Sequence, residues 1–402
     1  MSMTIPPRRE FVRALLAGTA LAPWSALSLA GAAPAGDDAR LVLVILRGGL
    51  DGLAAVPVGA DPQFVAARGA LAQYASPPLP LDASFALHPA LVEMHALYQR
   101  QELLVAHAIG LPYHERSHFD AQQLLESGGL KPYELSTGWL GRALAARGRK
   151  GLAVQTAVPL VLRGPGEIDT WSPSFLPDPS ADLVARVERL YAADPALAQA
   201  LARAKGLRDT GGAMPGRDEA AMASPGGARA QAVLLARRAG EFLRRPGGPQ
   251  AAVLELGGWD THANQAAPNG ALANNLRLLD ASIAALRDTL SAQPSHWRRT
   301  AVVVITEFGR EVAINGTQGT DHGTGGAAFV LGGAVQGGRV WADWPGLAPK
   351  DRFEGRDLRT TTDLRALLKG VLHDHLAVSR ATLDEVVFPG SAAVKPLGLL
   401  RS

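Results

Sequence analysis

Short apolar runs that end in glycine and polar residues are the clearest pattern in this chain. Three of them are Leu41–Leu46, Ala251–Leu256 and Ala301–Ile305. Apolar runs of this length that are bounded by turn residues are typical of buried strands in a parallel sheet. Longer stretches with apolar residues at helical spacing lie between them, as over 228–244 and 272–290. The alternation predicts an α/β fold with a mainly parallel central sheet and helices on both faces.

The same periodicities predict further elements on either side of these runs. They are strands over 103–107, 152–162 and 327–331, and helices over 89–100, 117–126 and 363–376.

Residues 164–230 interrupt the alternation of strands and helices. They combine proline-bearing loops, an Ala/Leu/Arg-rich stretch near 181–204 and a glycine-rich stretch over 206–227. We expect a helical insertion here, within one large α/β domain that spans 33–402. No internal repeat is visible in the 402 residues.

The N-terminus has the pattern of an export signal. Arg8–Val12 (RREFV) resembles a twin-arginine motif, an apolar segment follows over 14–29, and Ala30–Ala32 fits a small-residue cleavage site. The alternative is a membrane anchor, but the segment is short for a spanning helix and contains Pro23. We expect residues 1–32 to be a cleaved signal peptide. The protein would then be periplasmic or secreted, without a stable membrane anchor, and the twin-arginine export machinery would be a partner.

Charge and composition narrow the possible functions. The formal net charge is +3, and residues 1–32 contribute two of these charges through Arg8, Arg9 and Arg13 against Glu10. No basic patch with interleaved aromatic residues remains, so nucleic acid is not an expected partner. The sequence contains no cysteine, which excludes disulfides, thiolate metal sites and cysteine nucleophiles.

Acidic and imidazole side chains follow the predicted strands. Asp51 comes after the first strand, Asp260 and His262 after the second and Glu307 after the third, and His322 lies in a later Asp-His-Gly turn. The carboxyl ends of parallel strands meet at one edge of a sheet, where ligands collect. Carboxylates and neutral imidazoles suit zinc, calcium, magnesium or manganese. The sequence therefore predicts a site for one or two divalent ions.

Ser117 stands where a helix is predicted to begin. Backbone amides and the positive end of the helix dipole favour an anion at such a position, and a nearby metal can activate a serine hydroxyl as a nucleophile. Arg116 and Arg310 are candidates to bind anionic substrate oxygens. The structural alternatives are that Ser117 only caps the helix with Asp120, and that Glu307 pairs with Arg310.

Six ordered motifs together resemble one known family. They are Arg47–Gly52 (RGGLDG), His114–Phe119 (HERSHF), Thr137–Arg142 (TGWLGR), Gly258–His262 (GWDTH), Thr306–Arg310 (TEFGR) and Asp321–Gly323 (DHG). The family is a group of exported bacterial proteins known as domain of unknown function family 1501. It resembles the alkaline phosphatase and sulfatase superfamily. The resemblance covers nearly the whole chain after the signal peptide and implies a three-layer, alkaline-phosphatase-like sandwich.

This resemblance also implies roles for individual residues. Asp51 matches the metal-binding aspartate after the first strand, and Ser117 matches the nucleophile at a helix N-terminus. The ligands of the first metal match Asp260, His262 and His322. The second metal site of the superfamily uses an Asp-His pair after a strand. In this sequence Glu307 and Phe308 occupy the positions of that pair. Phenylalanine cannot bind a metal, so the resemblance implies a depleted second site. Asp51 and Glu307 would either hold a second ion there or orient Ser117.

These observations favour a periplasmic, metal-dependent hydrolase of phosphate or sulfate esters, with Ser117 as the nucleophile and an anionic ester as the substrate. A non-catalytic exported binding or assembly protein that keeps the fold is the alternative, and Phe308 favours it. A lesser alternative is a zinc peptidase, because His114, Glu115 and His118 have zinc-peptidase spacing.

Overall fold

The computed structural model describes residues 38–174, 178–211, 225–267 and 269–401. The predicted signal peptide over 1–32 lies outside the described residues. Within the described part, the central feature is a nine-stranded sheet that is mixed and mostly parallel.

Eleven strands form two sheets among the described residues. In chain order they are β1 (Arg40–Leu46), β2 (Leu79–Pro80), β3 (Ala86–Leu87), β4 (Leu103–Gly110), β5 (Gly151–Ala153), β6 (Ile168–Thr170), β7 (Ala251–Leu256), β8 (Thr300–Thr306), β9 (Gly326–Leu331), β10 (Arg339–Trp341) and β11 (Thr362–Asp363). The large sheet has the order β10-β4-β9-β8-β1-β7-β5-β6, with β11 also beside β4, and β2 pairs with β3. Strand β9 is antiparallel to both of its neighbours, and the other pairings of the large sheet are parallel.

Helices cover the sheet. They are α1 (Gly52–Ala55), α2 (Phe64–Arg68), α3 (Val92–Gln99), α4 (His118–Ser127), α5 (Trp139–Ala146), α6 (Ala181–Tyr191), α7 (Pro195–Gly211), α8 (Pro225–Leu243), α9 (Ala271–Ser291), α10 (Pro294–Arg298), α11 (Leu364–Asp374) and α12 (Arg380–Thr382). Across the described ranges, no helix combines the length and apolarity needed to cross a membrane.

The two faces of the sheet bury separate hydrophobic cores. On β1, Val42, Val44 and Leu46 join a core that contains residues of α3, α8 and α9. The alternate residues Leu41, Leu43 and Ile45 join a second core with α4, α5 and α11. This follows from the pleat, which points successive side chains to opposite faces. Helices on both faces confirm the predicted α/β three-layer sandwich.

Two predicted elements differ from the structure. The helix expected over 181–204 is split into α6 and α7, because the Asp194 side chain accepts from the next amides and Pro195 starts a new helix. The strand segment expected over 152–162 is shorter, and after β5 it ends in a 3₁₀ turn at Leu160–Leu162. The interpretation of 164–230 as an insertion stays a prediction.

Candidate metal centre

Three adjacent strands bring the turns that follow them to one edge of the sheet. Strand β1 lies between β7 and β8, and Leu46 is in register with Leu256 and Thr306 at their carboxyl ends. The turns after these strands therefore touch. Gly48 has φ +122°, and a Cβ there would lie 2.5 Å from the backbone nitrogen of Asp260, so only glycine fits this approach.

Three histidines and one aspartate converge at this edge. The Nε2 atom of His322 lies 3.0 Å from Nε2 of His118, 3.0 Å from Nε2 of His262 and 3.1 Å from Oδ1 of Asp260. Oδ1 of Asp260 is 2.9 Å from Nε2 of His262. Four side chains from three separate segments thus meet at Nε2 of His322.

The other ring nitrogen of each histidine contacts an oxygen at 2.9–3.0 Å. For His118, His262 and His322 respectively, the partners of Nδ1 are a carboxylate oxygen of Glu307, a carboxylate oxygen of Asp321 and the backbone carbonyl of Arg116. Carboxylate and carbonyl oxygens only accept, so each Nδ1 carries a proton and donates it. In a neutral imidazole, the Nε2 atom then exposes its lone pair.

The donor set fits a divalent cation. Each of the three imidazole nitrogens and the carboxylate oxygen has its nearest neighbour in the set at 2.9–3.0 Å, and at this distance lone pairs repel each other unless a positive charge lies between them. Imidazole and carboxylate ligands suit zinc and related divalent ions. Metal-binding histidines usually donate their second N–H to a carboxylate or carbonyl, as all three rings do here. Three of the four residues, His118, Asp260 and His322, have donor atoms that all lie within 4.8 Å of one another.

The electrostatics keep the acidic groups ionised. Burial opposes ionisation of Asp260, but the nearby Arg310 guanidinium holds the pKa of this carboxyl below its usual value. Burial likewise opposes ionisation of Glu307, and the hydrogen bond from His118 helps to lower its pKa. The same bond raises the pKa of His118. Burial lowers the pKa of His322, which favours its neutral, ligand form.

Glu307 contacts the candidate centre through a hydrogen bond from His118. Its Oε1 accepts from Nδ1 of His118 at 2.9 Å, from the Gly48 amide at 2.8 Å and from Gln122 at 3.0 Å. Its Oε2 accepts from the Thr306 hydroxyl at 3.0 Å. Glu307 therefore orients His118, and its oxygens face protein donors.

Asp51 does not lie among the four donor residues. Its side chain is buried, and one oxygen accepts from the Ala54 amide at 3.1 Å to cap α1. The other oxygen contacts the guanidinium of Arg68 and the amide nitrogen of Gln265. Protein donors therefore surround the Asp51 carboxylate, and its role as a metal ligand stays a prediction.

The two predicted anion-binding arginines are both held by carboxylates. Arg310 has a fully buried side chain and donates to Asp260 at 2.6 Å. Arg116 donates to Asp357 at 2.8 Å and to Glu354 at 2.5 Å. Arg310 therefore orients a candidate ligand, and Arg116 braces the loop before α4.

Ser117 caps α4 as the sequence predicts. Its hydroxyl faces the Asp120 amide at 3.5 Å, at the limit of a hydrogen bond. Its neighbours on either side both reach the candidate centre, Arg116 through its carbonyl and His118 through its ring. Ser117 is half-buried.

The peptidase alternative is wrong because its three residues do not share a helix. His114 and Glu115 precede α4, and Arg116 between them and the helix has φ +60°. The His114 ring instead packs on Phe353, with 4.6 Å between ring centroids. The zinc-peptidase arrangement needs both histidines on one helical face.

Sequence reasoning used His118 only in the peptidase alternative, and it included Asp321 only as part of the Asp-His-Gly turn expected to contact a ligand or substrate. Both residues stand in the family-like motifs, HERSHF and DHG, which was the available signal. The position of His118 directly after the cap residue, at the start of a helix, is what turns its ring toward His322.

The fold and the four converging side chains define an α/β protein with a candidate metal centre at the carboxyl edge of its sheet. A family described as "Protein of unknown function (DUF1501)" matches residues 104–385, and the chain belongs to this family. No curated protein matches the chain.

Similar solved structures include three bacterial proteins. One is a protein in the alkaline phosphatase superfamily from Vibrio parahaemolyticus, with a TM-score of 0.43, 13% identity, and coverage of 90% of this chain and 71% of that one. Another is the phosphonate monoester hydrolase of Agrobacterium radiobacter, with a TM-score of 0.41, 12% identity, and coverage of 85% and 74%. The third is the PsFucS1 sulfatase from Pseudoalteromonas sp., with a TM-score of 0.38, 14% identity, and coverage of 75% and 64%.

Proposed function

We propose that this protein is a metal-dependent hydrolase of phosphate or sulfate esters. The observation that carries the proposal is the convergence of three histidines, each fixed through Nδ1, with one ionised aspartate. The proposed ligands are His118, His262, His322 and Asp260. A divalent ion held there would supply a Lewis acid that stabilises charge on the ester oxygens.

Ser117 is the proposed nucleophile. Its weak capping contact of 3.5 Å leaves the hydroxyl free to turn toward a substrate. The oxygen would form a bond to phosphorus or sulfur while the ester bond to the leaving alkoxide breaks. The proton that Ser117 gives up balances the one that the alkoxide takes up to become the alcohol, and water would later release the acid and restore the serine. The net reaction consumes one water for each ester.

Tyr113 is the proposed path for the proton of Ser117. Its hydroxyl donates to Asp120 at 3.3 Å, and Ser117 influences the pKa of this phenol. A proton can pass from Ser117 to Tyr113 while the phenol proton passes to the Asp120 carboxylate. Loss of such a relay costs on the order of a hundredfold in rate, so Tyr113→Phe should lower kcat while the bound metal stays unchanged.

The proposed location is the periplasm. It is supported by the Arg8-Arg9 pattern and the cleavage-site pattern at Ala30–Ala32. Fractionation of cells that express the full chain, with N-terminal sequencing of the product, tests it. Replacement of both arginines by lysine should trap the precursor in the cytoplasm, and a periplasmic product from that variant would refute twin-arginine export.

The decisive experiment measures metal content and ester turnover together. Purified protein should contain stoichiometric metal and cleave 4-nitrophenyl phosphate or sulfate esters. Ser117→Ala should keep the metal and lose turnover, and His262→Ala should lose both. Ser379→Ala is the matched control, because Ser379 caps α12 in the same way. Unchanged turnover in Ser117→Ala would remove the nucleophile from the proposal.

One observation favours a second candidate, a non-catalytic exported binding or assembly protein. Phe308 packs against His118 and His322, with ring centroids 4.7 and 5.1 Å apart. An apolar ring therefore stands behind the centre where a further polar group would assist catalysis. Metal-loaded protein that turns over no phosphate or sulfate ester would support this candidate.

A further inference from the structure

The two carboxylates outside the converging set, Asp51 and Glu307, decide how many ions the centre can hold. Both follow strands at the same sheet edge, beside the candidate ligands. A second ion would need a free oxygen lone pair from at least one of them, and protein donors already surround both side chains.

Protein groups lie against both oxygens of Glu307. Three of them donate to Oε1 at 2.8–3.0 Å. The Thr306 hydroxyl lies 3.0 Å from Oε2 and 2.8 Å from the Leu46 carbonyl, and its one proton is shared between these two acceptors. The His118 ring connects Glu307 to the candidate centre. The ring thus stands between this carboxylate and the converging donors.

Asp51 already has a cation. The Arg68 guanidinium contacts its Oδ2, and both side chains are shielded from solvent. Backbone carbonyls of Glu311 and Val312 accept from the other end of the guanidinium, at 3.3 and 3.0 Å. The segment that follows β8 therefore holds Arg68 in position. Its guanidinium carries a permanent positive charge.

Gln265 connects this buried ion pair to the candidate ligands. Its amide nitrogen donates to Asp51, and its oxygen accepts from the hydroxyls of Thr261 and Thr320 at 2.8 Å each. Thr261 lies between Asp260 and His262 in the sequence, and Thr320 precedes the Asp321-His322 turn. Through Gln265, the Asp51–Arg68 pair therefore supports the two loops that carry candidate ligands, Asp260–His262 and Asp321–His322.

We propose that the centre is mononuclear and that the guanidinium of Arg68 takes the place of a second metal ion at Asp51. This inference rests on the proposed function only for the presence of the first ion. The charge of Arg68 neutralises Asp51, and the imidazole of His118 fills the space beside Glu307. The built-in cation keeps the ligand loops in position without a second ion.

The test is the number of ions per chain. Apo-protein is saturated with zinc, manganese, magnesium or calcium in turn, desalted and measured by elemental analysis. We expect one ion per chain in the wild type, one in Asp51→Asn and none in His262→Ala. Asn keeps the shape and an accepting oxygen at position 51, so this variant is expected to fold. Electron paramagnetic resonance of the manganese form should show isolated ions.

Two ions in the wild type, with one lost in Asp51→Asn, would overturn the inference. A spin-coupled manganese spectrum would do the same. Loss of the single ion in folded Asp51→Asn would contradict the expected retention of one ion. These readouts are independent of turnover, so two ions in an active enzyme refute only the mononuclear centre. One ion in a protein without ester hydrolysis refutes only the proposed function.

Discussion

At the scale of residues, Asp357 is connected to His322 by two routes. This fully buried carboxylate accepts from Arg116 at 2.8 Å and contacts Arg356 at 3.1 Å. The carbonyl of Arg116 accepts from the His322 ring, and Arg356 donates to the His322 backbone oxygen at 2.9 Å. Arg116 also has φ +60°, a conformation that costs a non-glycine residue about 1 kcal/mol or more. The Arg116–Asp357 pair therefore holds this backbone in place.

We predict that Asp357→Asn weakens zinc binding about 10- to 100-fold, because loss of the ion pair lets the Arg116 carbonyl move away from His322. Competition with a chelating dye measures the affinity, and the visible spectrum of the cobalt form reports ligand geometry. Asp384→Asn is the control, since Asp384 pairs with Lys369 away from the centre. Equal zinc affinity in Asp357→Asn and the control would contradict the positioning role.

The sequence predicted part of the site, and the limits have physical causes. Asp260, His262 and His322 come together because the end of a strand meets a nearby turn at the edge of the sheet. The apolar runs in the sequence predict where the strands end. The position of the His118 ring depends on the left-handed backbone conformation of Arg116. This conformation in a residue other than glycine leaves no signal in the sequence. Asp51 has the expected position, but the sequence does not reveal that Arg68 is buried against it.

At the scale of elements, α4 matters most because it carries His118. Ser117 begins the helix, and Gly128 ends it in the left-handed conformation with φ +70°. Both boundaries were predicted, since capping residues are local signals. The division between α6 and α7 was missed, although Asp194-Pro195 is such a signal, because the surrounding stretch has uniform helical composition.

We predict that Gly128→Ala destabilises the protein by about 2–4 kcal/mol. A Cβ there would lie 2.7 Å from the Phe388 ring and would also be strained by the positive φ. Gly148→Ala separates the two effects, because Gly148 has φ +59° with no atom within 4 Å of the added carbon. That control should lose only about 1 kcal/mol. Urea unfolding measures both, and equal losses would contradict the predicted overlap.

At the scale of the whole molecule, folding and protonation are coupled through buried histidines. His107 on β4 is fully buried, donates from Nε2 to the Val56 carbonyl at 3.1 Å and accepts at Nδ1 from the Ala108 amide at 2.8 Å. These bonds require the neutral ring. Burial lowers the pKa of His107 to about 4, from an ordinary 6.5.

We predict that this histidine makes stability depend on pH between 6.5 and 4. Its contribution of roughly 3 kcal/mol is complete above pH 6.5 and is lost toward pH 4, because the unfolded chain binds the proton more tightly. His107→Gln should flatten the change in unfolding free energy between pH 7 and pH 4.5, even though it lowers stability at both. Parallel curves for wild type and variant would show that His107 does not titrate as expected.

We also predict that metal removal lowers the stability of the entire fold. An ion at 100 times its dissociation constant adds about 2.7 kcal/mol to the unfolding free energy when it binds only the folded state. Thermal unfolding with EDTA, and after zinc is restored, should show a reversible drop in Tm. His262→Ala should show no such difference. A Tm that zinc and EDTA leave unchanged in the wild type would contradict a metal-binding centre.

The donor atoms of the candidate centre come from residues as far apart as His118 and His322. During synthesis, the last of them leaves the ribosome only after most of the polypeptide has been made. In the proposed metal enzyme, an ion can therefore meet all four ligands only after residue 322 has been made. The compartment in which the chain folds would then decide which metal pool supplies the ion.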